Sequence, residues 1–558
     1  MAPPAHRDGD DGVARVAVGP LNVEASVAHE AAAATEREHN MGLMESLRLY
    51  RKACGWSVFL SICIIMEGFD LVLLSSLFAY PPFQKKFGEQ QPDGSYQLTA
   101  AWQSGLNNGA LCGQVLGLFV AGIVADRIGY RKTLMGALTG CIGFIFIIFF
   151  SESLVQLLIG QIFMGIPWGV FQTMTTTYAS EVCPIHLRAY LTTFVNLCWV
   201  LGQFIASGVL RGMITRDDKW GYKIPFALQW IWPVPLIIGI YLAPESPWWL
   251  VRKGRIDEAK ESLRRLTTRN SDVPFRPDET ISMMIHTNEM EKEAQAGTSY
   301  ADLFKGVSLR RTEIVCVTWM IQTLCGATFM GYSTYFYQQA GMAVENSFSM
   351  SLGQYAIGAV GTICSWFLMG WFGRRTLYLY GQLTMCLFLL CIGCVSFAGR
   401  DNVAAQWAIG SLLLVYTFTY DSTVGPVCYS LVAELTSTRL RTKSVVFARN
   451  MYNIIGIITN IITPRMLNPS AWNWGAKAGF FWAGTCFCCA IWTYFRLPEP
   501  KGRTYAEIDI LFEDRVSARK FKSTVVEKLD ADVVDSASDK EKKGGAIMVE
   551  RVGSGQAV

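Results

Sequence analysis

Twelve runs of apolar residues, each close to the ~20 residues a helix needs to cross a bilayer, limit what this 558-residue chain can become. Inside hydrocarbon the backbone has no water to bond, so each run has to close its hydrogen bonds within itself as a helix. The runs fall at 54–78, 101–124, 133–150, 154–178, 189–210 and 226–243, and again at 313–337, 349–369, 376–398, 404–429, 444–466 and 478–496. With 51% hydrophobic and only 17% charged residues, the chain is too apolar in long blocks for a soluble enzyme. The expected fold is an all-α membrane protein: twelve transmembrane helices in two six-helix halves, with short cytosolic helices between them.

The remaining segments follow from this division. Residues 1–50 read as a largely disordered tail, 51–251 as the first half, 252–311 as a central loop, 312–497 as the second half and 498–558 as a second tail. Within the central loop, Ile256, Ala259, Leu263 and Leu266 share one side of a helix and charges take the other. Lys and Arg in 126–132, 372–375, 438–443 and the central loop fall on one side when the runs are threaded alternately. That side is expected to be the cytosol, with both termini. The basic loop 211–223 is the exception, on the expected outside.

Two carboxylates sit in the middle of the first run. Glu67 and Asp70, three apart, share a helix face. A charge at the centre of a lipid-facing helix costs ~2.5 to 3.5 kcal/mol, so both should face a bundle interior or a wet cavity. They are candidate proton carriers, against the plainer reading of a structural polar pair. Arg449, in the eleventh run, is a buried cation able to lower a partner carboxylate's pKa and to be freed when that acid takes a proton.

Other chemistries lack their parts. Most of the 16 cysteines lie in apolar runs, where packing is the expected role. The five histidines fall outside the runs, so no zinc site, histidine relay or bound cofactor is expected. The +4 net charge carries no basic, aromatic-interleaved stretch for nucleic acid. No nucleophile, base and oxyanion set marks a membrane enzyme.

Three marks occur twice, about 250 residues apart, in the same order. Gly129 and Arg131 match Gly373 and Arg375; Glu181 with Arg188 matches Glu434 with Arg441; Pro244 and Glu245 match Pro498 and Glu499. A near-constant offset argues for a duplicated six-helix unit.

At these marks the chain resembles the sugar porters of the major facilitator superfamily. DRIGYRK (126–132), PESPWWL (244–250), GPVCYSLVAEL (425–435) and PEPKGRTYAEI (498–508) carry the likeness. EGFD, GQIFMGIPWGVFQT, YASEVCP, PFALQWIWP and RLRTK are similar to the fungal α-glucoside, maltose-type proton symporters. The resemblance implies a plasma-membrane, monomeric carrier importing a maltose-like sugar with a proton by alternating access. Other sugars (hexose, pentose, cellobiose or lactose), a facilitator, or a sugar sensor remain as alternatives.

It also implies roles. Gln203, Gln322 and Tyr429 match sugar-binding positions, Tyr332 matches a family tyrosine, and Tyr335 follows three residues later on the same helix face. Gln354 and Gln229 are further candidates, and Thr328 replaces a seventh-run Asn in a manner suited to a disaccharide. Asp70 matches the first-run acid of proton-linked porters, Glu67 joins it in the α-glucoside type, and Asp421 is a second candidate acid or a cavity residue. Asp126, Arg127, Arg131, Glu181, Arg188 and Glu245 form a gating set at helix ends, with Arg374, Arg375, Glu434, Arg441 and Glu499 as its second-half counterpart. There are departures: Gln114 stands where such symporters carry Glu, Gln161 replaces a fourth-run Arg, and Gly370 replaces the acid of the second-half loop.

Overall fold

A computed structural model of the chain describes residues 41–91, 94–268, 276–295, 299–437, 440–503, 505–522 and 524. The first six of its twelve membrane helices are Arg51–Leu77, Ala100–Ile128, Tyr130–Phe149, Leu154–Val182, Thr193–Met213 and Trp220–Leu242. The second six are Gly306–Gly331, Val344–Trp371, Arg374–Ala398, Val403–Leu435, Lys443–Leu467 and Gly475–Arg496. They are called the first to twelfth spans below. An even number of crossings puts both ends of the chain, and the central segment, on one face, here called the terminal face; the other is the far face.

Burial within the bundle is uneven. In the first span 72% of the most apolar window is buried by protein, against 33% in the third and sixth. The first span is therefore surrounded by helices, where a carboxylate can be satisfied, while the others leave Phe, Ile and Leu faces to lipid. Small residues draw the helices together. A Cβ on Gly165 of the fourth span would lie 2.8 Å from the Cα of Gly113 in the second, so the two backbones touch only because both are glycine.

Breaks in helices are concentrated in the second half. The seventh span is α-helical through Gln322, widens into a π-turn over 323–327 with Gly326 at φ +98°, and resumes at Thr328–Gly331. A new helix, Ser333–Gln339, then starts after Tyr332. The tenth span kinks at Thr423, between Asp421 and Pro426.

Beyond the spans, the central segment holds the helices Pro247–Arg252, Ile256–Leu266 and Pro277–Gln295. Ala259, Leu263 and Leu266 are buried and Ile256 packs beside them. The segments expected as tails are partly folded. A helix covers Leu43–Leu49 with Leu49 buried, and another covers Tyr505–Glu513, docked through buried Ile508, Leu511 and Phe512. Apolar residues sparse enough to resemble a tail still suffice when a bundle end offers them a surface. The disorder expected for 1–40 and for the end of the chain lies outside the described residues. A two-residue antiparallel ladder, Glu89–Gln90 with Tyr96–Gln97, is the one strand pair among the described residues.

Candidate functional site

Between the halves lies a cavity of ≈ 180 Å³. Helical stripes build it. Asn107, Leu111 and Gln114 project from the second span at i, i+4 and i+7, and Asn196, Trp199, Val200 and Gln203 from the fifth at i, i+3, i+4 and i+7. The eleventh span gives Tyr452, Gly456 and Asn460 at i, i+4 and i+8. The broken part of the seventh span supplies Gln322, Thr323, Ala327, Thr328 and Tyr332, because unwinding at Gly326 turns several successive residues toward one space.

The lining mixes amides and hydroxyls with aromatic rings. Asn107 donates to the Tyr332 hydroxyl at 2.5 Å, Thr328 bonds Thr459 at 2.9 Å, and Gln322 donates to the Gly425 carbonyl at 3.0 Å. Asn196 Nδ2 is buried at the wall with no hydrogen-bond partner among the described residues. Asp421 is 4% exposed and also lines the cavity. Trp199, Tyr355, Tyr420 and Tyr452 add ring faces and edges.

Glu67 lies one side chain behind this wall. Its Oε1 accepts from Gln172 Nε2 at 2.5 Å and from Gln114 Nε2 at 3.1 Å, and both glutamines face the cavity. Gln172 in turn accepts from the Arg449 guanidinium at 2.8 Å. Arg449 is sandwiched by rings, 4.6 Å from the centroid of Trp319 and 4.5 Å from that of Tyr452. A neutral amide thus joins an acid of the first half to a cation of the second. Asp70 points elsewhere: it accepts from Gln229 of the sixth span at 2.6 Å, with Gln161 and Trp168 of the fourth span beside it. Among the described residues no donor bonds Glu67 Oε2, which is buried.

Of the residues singled out in the sequence, Gln203, Gln322, Thr328, Tyr332 and Asp421 line the cavity. Tyr335, Gln354 and Tyr429 do not. The Tyr335 hydroxyl bonds Gln97 in the far-face loop at 3.3 Å, Gln354 is used up between Tyr337 at 2.8 Å and the Met330 carbonyl at 3.3 Å, and Tyr429 packs edge-on to Trp319 at 4.9 Å. Sequence reasoning passed over Gln172, Asn107, Asn196 and Asn460. Asn107 and Asn196 could have been found by the seven-residue spacing they share with Gln114 and Gln203, whereas Gln172 and Asn460, on other spans, carried no such signal.

The gating set resolves into ties within each half, and the repeat marks make the same ties twice. Glu245 accepts the backbone N–H groups of Tyr130 and Arg131 at 3.1 and 3.3 Å, capping the third span; Glu499 does the same for Arg374 and Arg375 at 2.9 and 3.1 Å. Gly129, at φ +92°, leaves the room: a Cβ there would sit 2.6 Å from Glu245 Oε2. The Arg131 side chain donates to the Ile240 and Tyr241 carbonyls that end the sixth span, as Arg375 donates to that of Tyr494 near the end of the twelfth. Burial pushes the Glu245 carboxyl above its ordinary pKa, against the pull of the N–H groups that hold it.

Glu181 takes Arg252 at 2.8 Å together with the hydroxyls of Tyr130 and Ser246, and Glu434 takes Arg374 at 3.2 Å. Asp126 and Arg127 are exposed on the terminal face. The side chains of Arg188 and Arg441 lie outside the described residues. At Gly370, where the acid is missing, Lys501 donates to the backbone carbonyl at 2.9 Å.

Hydrogen bonds between the halves gather toward the far face. Ser76 bonds Thr334 at 3.0 Å, Ser75 bonds the Gly331 carbonyl at 3.0 Å, Asn468 bonds that of Leu98 at 2.8 Å, and Arg211 pairs with Glu345 at 2.5 Å. The cavity is barred on that side.

A sequence profile of the family described as Sugar (and other) transporter matches residues 56–512. The chain belongs to that family. It is a multi-pass membrane transporter of the major facilitator superfamily and not an enzyme. Its relatives include the general alpha-glucoside permease of Saccharomyces cerevisiae strain S288c, 45% identical over 90% of this chain and 82% of the permease. A maltose permease of the same species is 43% identical over 89% of this chain and 82% of its own length. Among solved structures, the Escherichia coli xylose transporter XylE in a partially occluded inward-open conformation superposes with a TM-score of 0.66 at 18% identity, over 82% of this chain and 99% of that one. The likeness to XylE concerns the fold alone.

Proposed function

We propose that this transporter imports an α-glucoside of the maltose type together with a proton, by alternating access across the plasma membrane, as a monomer with both termini in the cytosol. The observation that carries the reading is the wall between Glu67 and the cavity. Gln114 and Gln172 present one side to the acid and the other to the space where a sugar would sit, and Arg449 reaches the same bridge from the opposite half. The names of the yeast permeases support the choice of sugar.

The lining suits the ligand class. Amides from five spans, joined by hydroxyls such as those of Ser75, Thr323 and Thr328, address the fanned-out hydroxyls of a sugar, and the aromatic rings address its apolar faces. The cavity's ≈ 180 Å³ is below the roughly 300–1,000 Å³ of pockets that enclose a drug-sized ligand, so the halves part further to accept two sugar rings. With the far face barred, the conformation is closed to the outside; cytosolic opening proceeds by rocking, each half kept rigid by its own Glu245 or Glu499 caps.

Glu67 and Asp70 carry the proton step. Protonation of Glu67 weakens its hold on Gln172, frees that amide to serve Arg449 or the sugar, and thereby links proton binding to the contact between halves. A proton entering down 100 mV and two pH units releases ~5 kcal/mol, enough for several-thousandfold accumulation. Gln114, in place of an acid, leaves Glu67 as the single carboxylate against the cavity's first-half wall.

The test is uptake of labelled maltose, with a competing sugar panel, in cells lacking their own carriers, while recording external alkalinisation. Alkalinisation on sugar addition, lost in Asp70→Asn while sugar exchange persists, is the expected result. Uptake with no proton movement, unchanged in the variant, would make the protein a facilitator; no uptake of any sugar at normal surface expression would favour a sensor.

A further inference from the structure

A second cavity, ≈ 390 Å³, opens on the terminal face where the start of the seventh span meets the end of the twelfth, beneath the helix Tyr505–Glu513. Arg310, Arg496 and Arg515 line it, with Val307, Phe495 and Phe512 between them. Among the described residues one carboxylate forms an ion pair with any of these three cations. Glu313 pairs with Arg496 and accepts from Trp492 Nε1 at 3.3 Å, while the nearby Asp509 is committed to Arg311. The Arg310 guanidinium lies over two rings, 5.3 Å from the centroid of Phe512 and 6.0 Å from that of Phe521, and no described carboxylate pairs with it. The lining thus sets three guanidinium groups against one paired carboxylate among the described residues, with Arg310 held over its two rings.

Its surroundings face lipid. Phe495 is 57% exposed and Leu309 49%, on adjoining edges of the twelfth and seventh spans. Tyr494, next to Phe495, holds Arg519 at 5.0 Å and Arg375 at 5.7 Å from its ring centroid. Exposed aromatic rings ringed by Arg mark the level of the headgroups, and basic pockets between spans at that level take phosphorylated lipid heads. From this we infer that the pocket binds the anionic headgroup of a phospholipid in the leaflet on the terminal face, its phosphate on Arg310 and Arg515 and its acyl chains along Leu309 and Phe495. A freely soluble anion would gain nothing from the apolar flank. The bound lipid staples the seventh span, which carries Gln322 and Tyr332 into the central cavity, to the C-terminal helix.

The test titrates the purified full-length chain in detergent with dioctanoyl phosphatidylinositol 4-phosphate, dioctanoyl phosphatidylcholine or inositol 1,4-bisphosphate, reading the thermal midpoint. A saturable rise is expected with the first alone, at an apparent affinity roughly thirtyfold weaker in the Arg310→Gln, Arg515→Gln double variant. The charge-preserving Arg310→Lys, Arg515→Lys variant, which keeps the fold and the field, stays within a few fold of the parent. An equal rise with the soluble bisphosphate would overturn the lipid assignment. No rise, or the same affinity in the Gln variant, would overturn the site.

Discussion

Gln172→Ala is the most informative single change. Its amide holds two charged partners, Glu67 at 2.5 Å and Arg449 at 2.8 Å. A net hydrogen bond to a charged group contributes about 1.5–3 kcal/mol. The bond to Glu67 joins two spans of one half and persists when the halves rock, so it cancels between conformations. Only the bond to Arg449 crosses, and its loss shifts the conformational balance by roughly 10- to 150-fold away from the state closed on the far face. Cavity water can reach the vacated place, which puts the expected effect in the lower part of that range. Hydrogen exchange followed by mass spectrometry reads the shift: backbone amides of 75–80 and 333–339, which meet across the far face, exchange about tenfold faster. Proton-driven accumulation falls while exchange of sugar for sugar continues. A double-mutant cycle with Arg449→Gln should show at least about 1 kcal/mol of coupling. Unchanged exchange rates with undiminished accumulation would refute the bridge as the coupling element.

Four further outcomes follow from the geometry. Gln203→Ala and Gln322→Ala each raise the KM for uptake several-fold, whereas Tyr335→Phe, outside the cavity, leaves it within twofold; equal effects in a transport assay would move the site. Gly326→Ala forces a side chain into φ +98° with its Cβ 3.1 Å from the Tyr416 hydroxyl, costing about 1–2 kcal/mol in a thermal melt and altering sugar selectivity through the seventh span. Glu499→Gln turns an acceptor of four backbone N–H groups into a partial donor and lowers the thermal midpoint, as does Glu245→Gln on the other half; a variant with no change would show the caps to be idle. Glu152 bridges Lys86 at 3.0 Å and Lys223 at 3.2 Å, which holds its pKa below the ordinary 4.5. Its contribution to stability is therefore present above about pH 4.5 and lost as the pH falls through the depressed value, so the difference in melting between parent and Glu152→Gln should vanish in acid.

Much of the site was legible in the sequence because a membrane makes charge expensive. Glu67, Asp70 and Arg449 stood out as ionisable groups in apolar runs, and all three lie inside the bundle. The repeat marks were legible as marks, and the structure shows their common contact: an acid following the last span of each half caps the third helix of that half. Which helices the gating residues tie was not legible in the chain, because a helix-end acid has donors within its own half as near as any across the interface.

Where the sequence fell short, the reason was a phase or a distance. Tyr335 was placed beside Tyr332 by the three-residue rule, which holds only along an unbroken helix. The helix ends at Tyr332 (φ −94°, ψ 20°) and a new one begins, so the register resets and Tyr335 turns to the far-face loop. Gln172 looked like one more polar residue in an apolar run. Its meaning depends on Arg449, 277 positions later, and on the angle at which two halves meet.

The amino-acid order by itself determined the twelve helices, their pairing into repeats, and the stripes of polar residues that each helix offers to its neighbours, since hydrocarbon permits few alternatives to a helix with its polar face turned inward. Only the tertiary structure decided which stripes converge, which face of the protein is closed, and that Glu67 and Arg449 meet through a neutral amide. Those depend on the rotation of one rigid half against the other, a freedom that local hydrogen bonding and burial within each helix leave open.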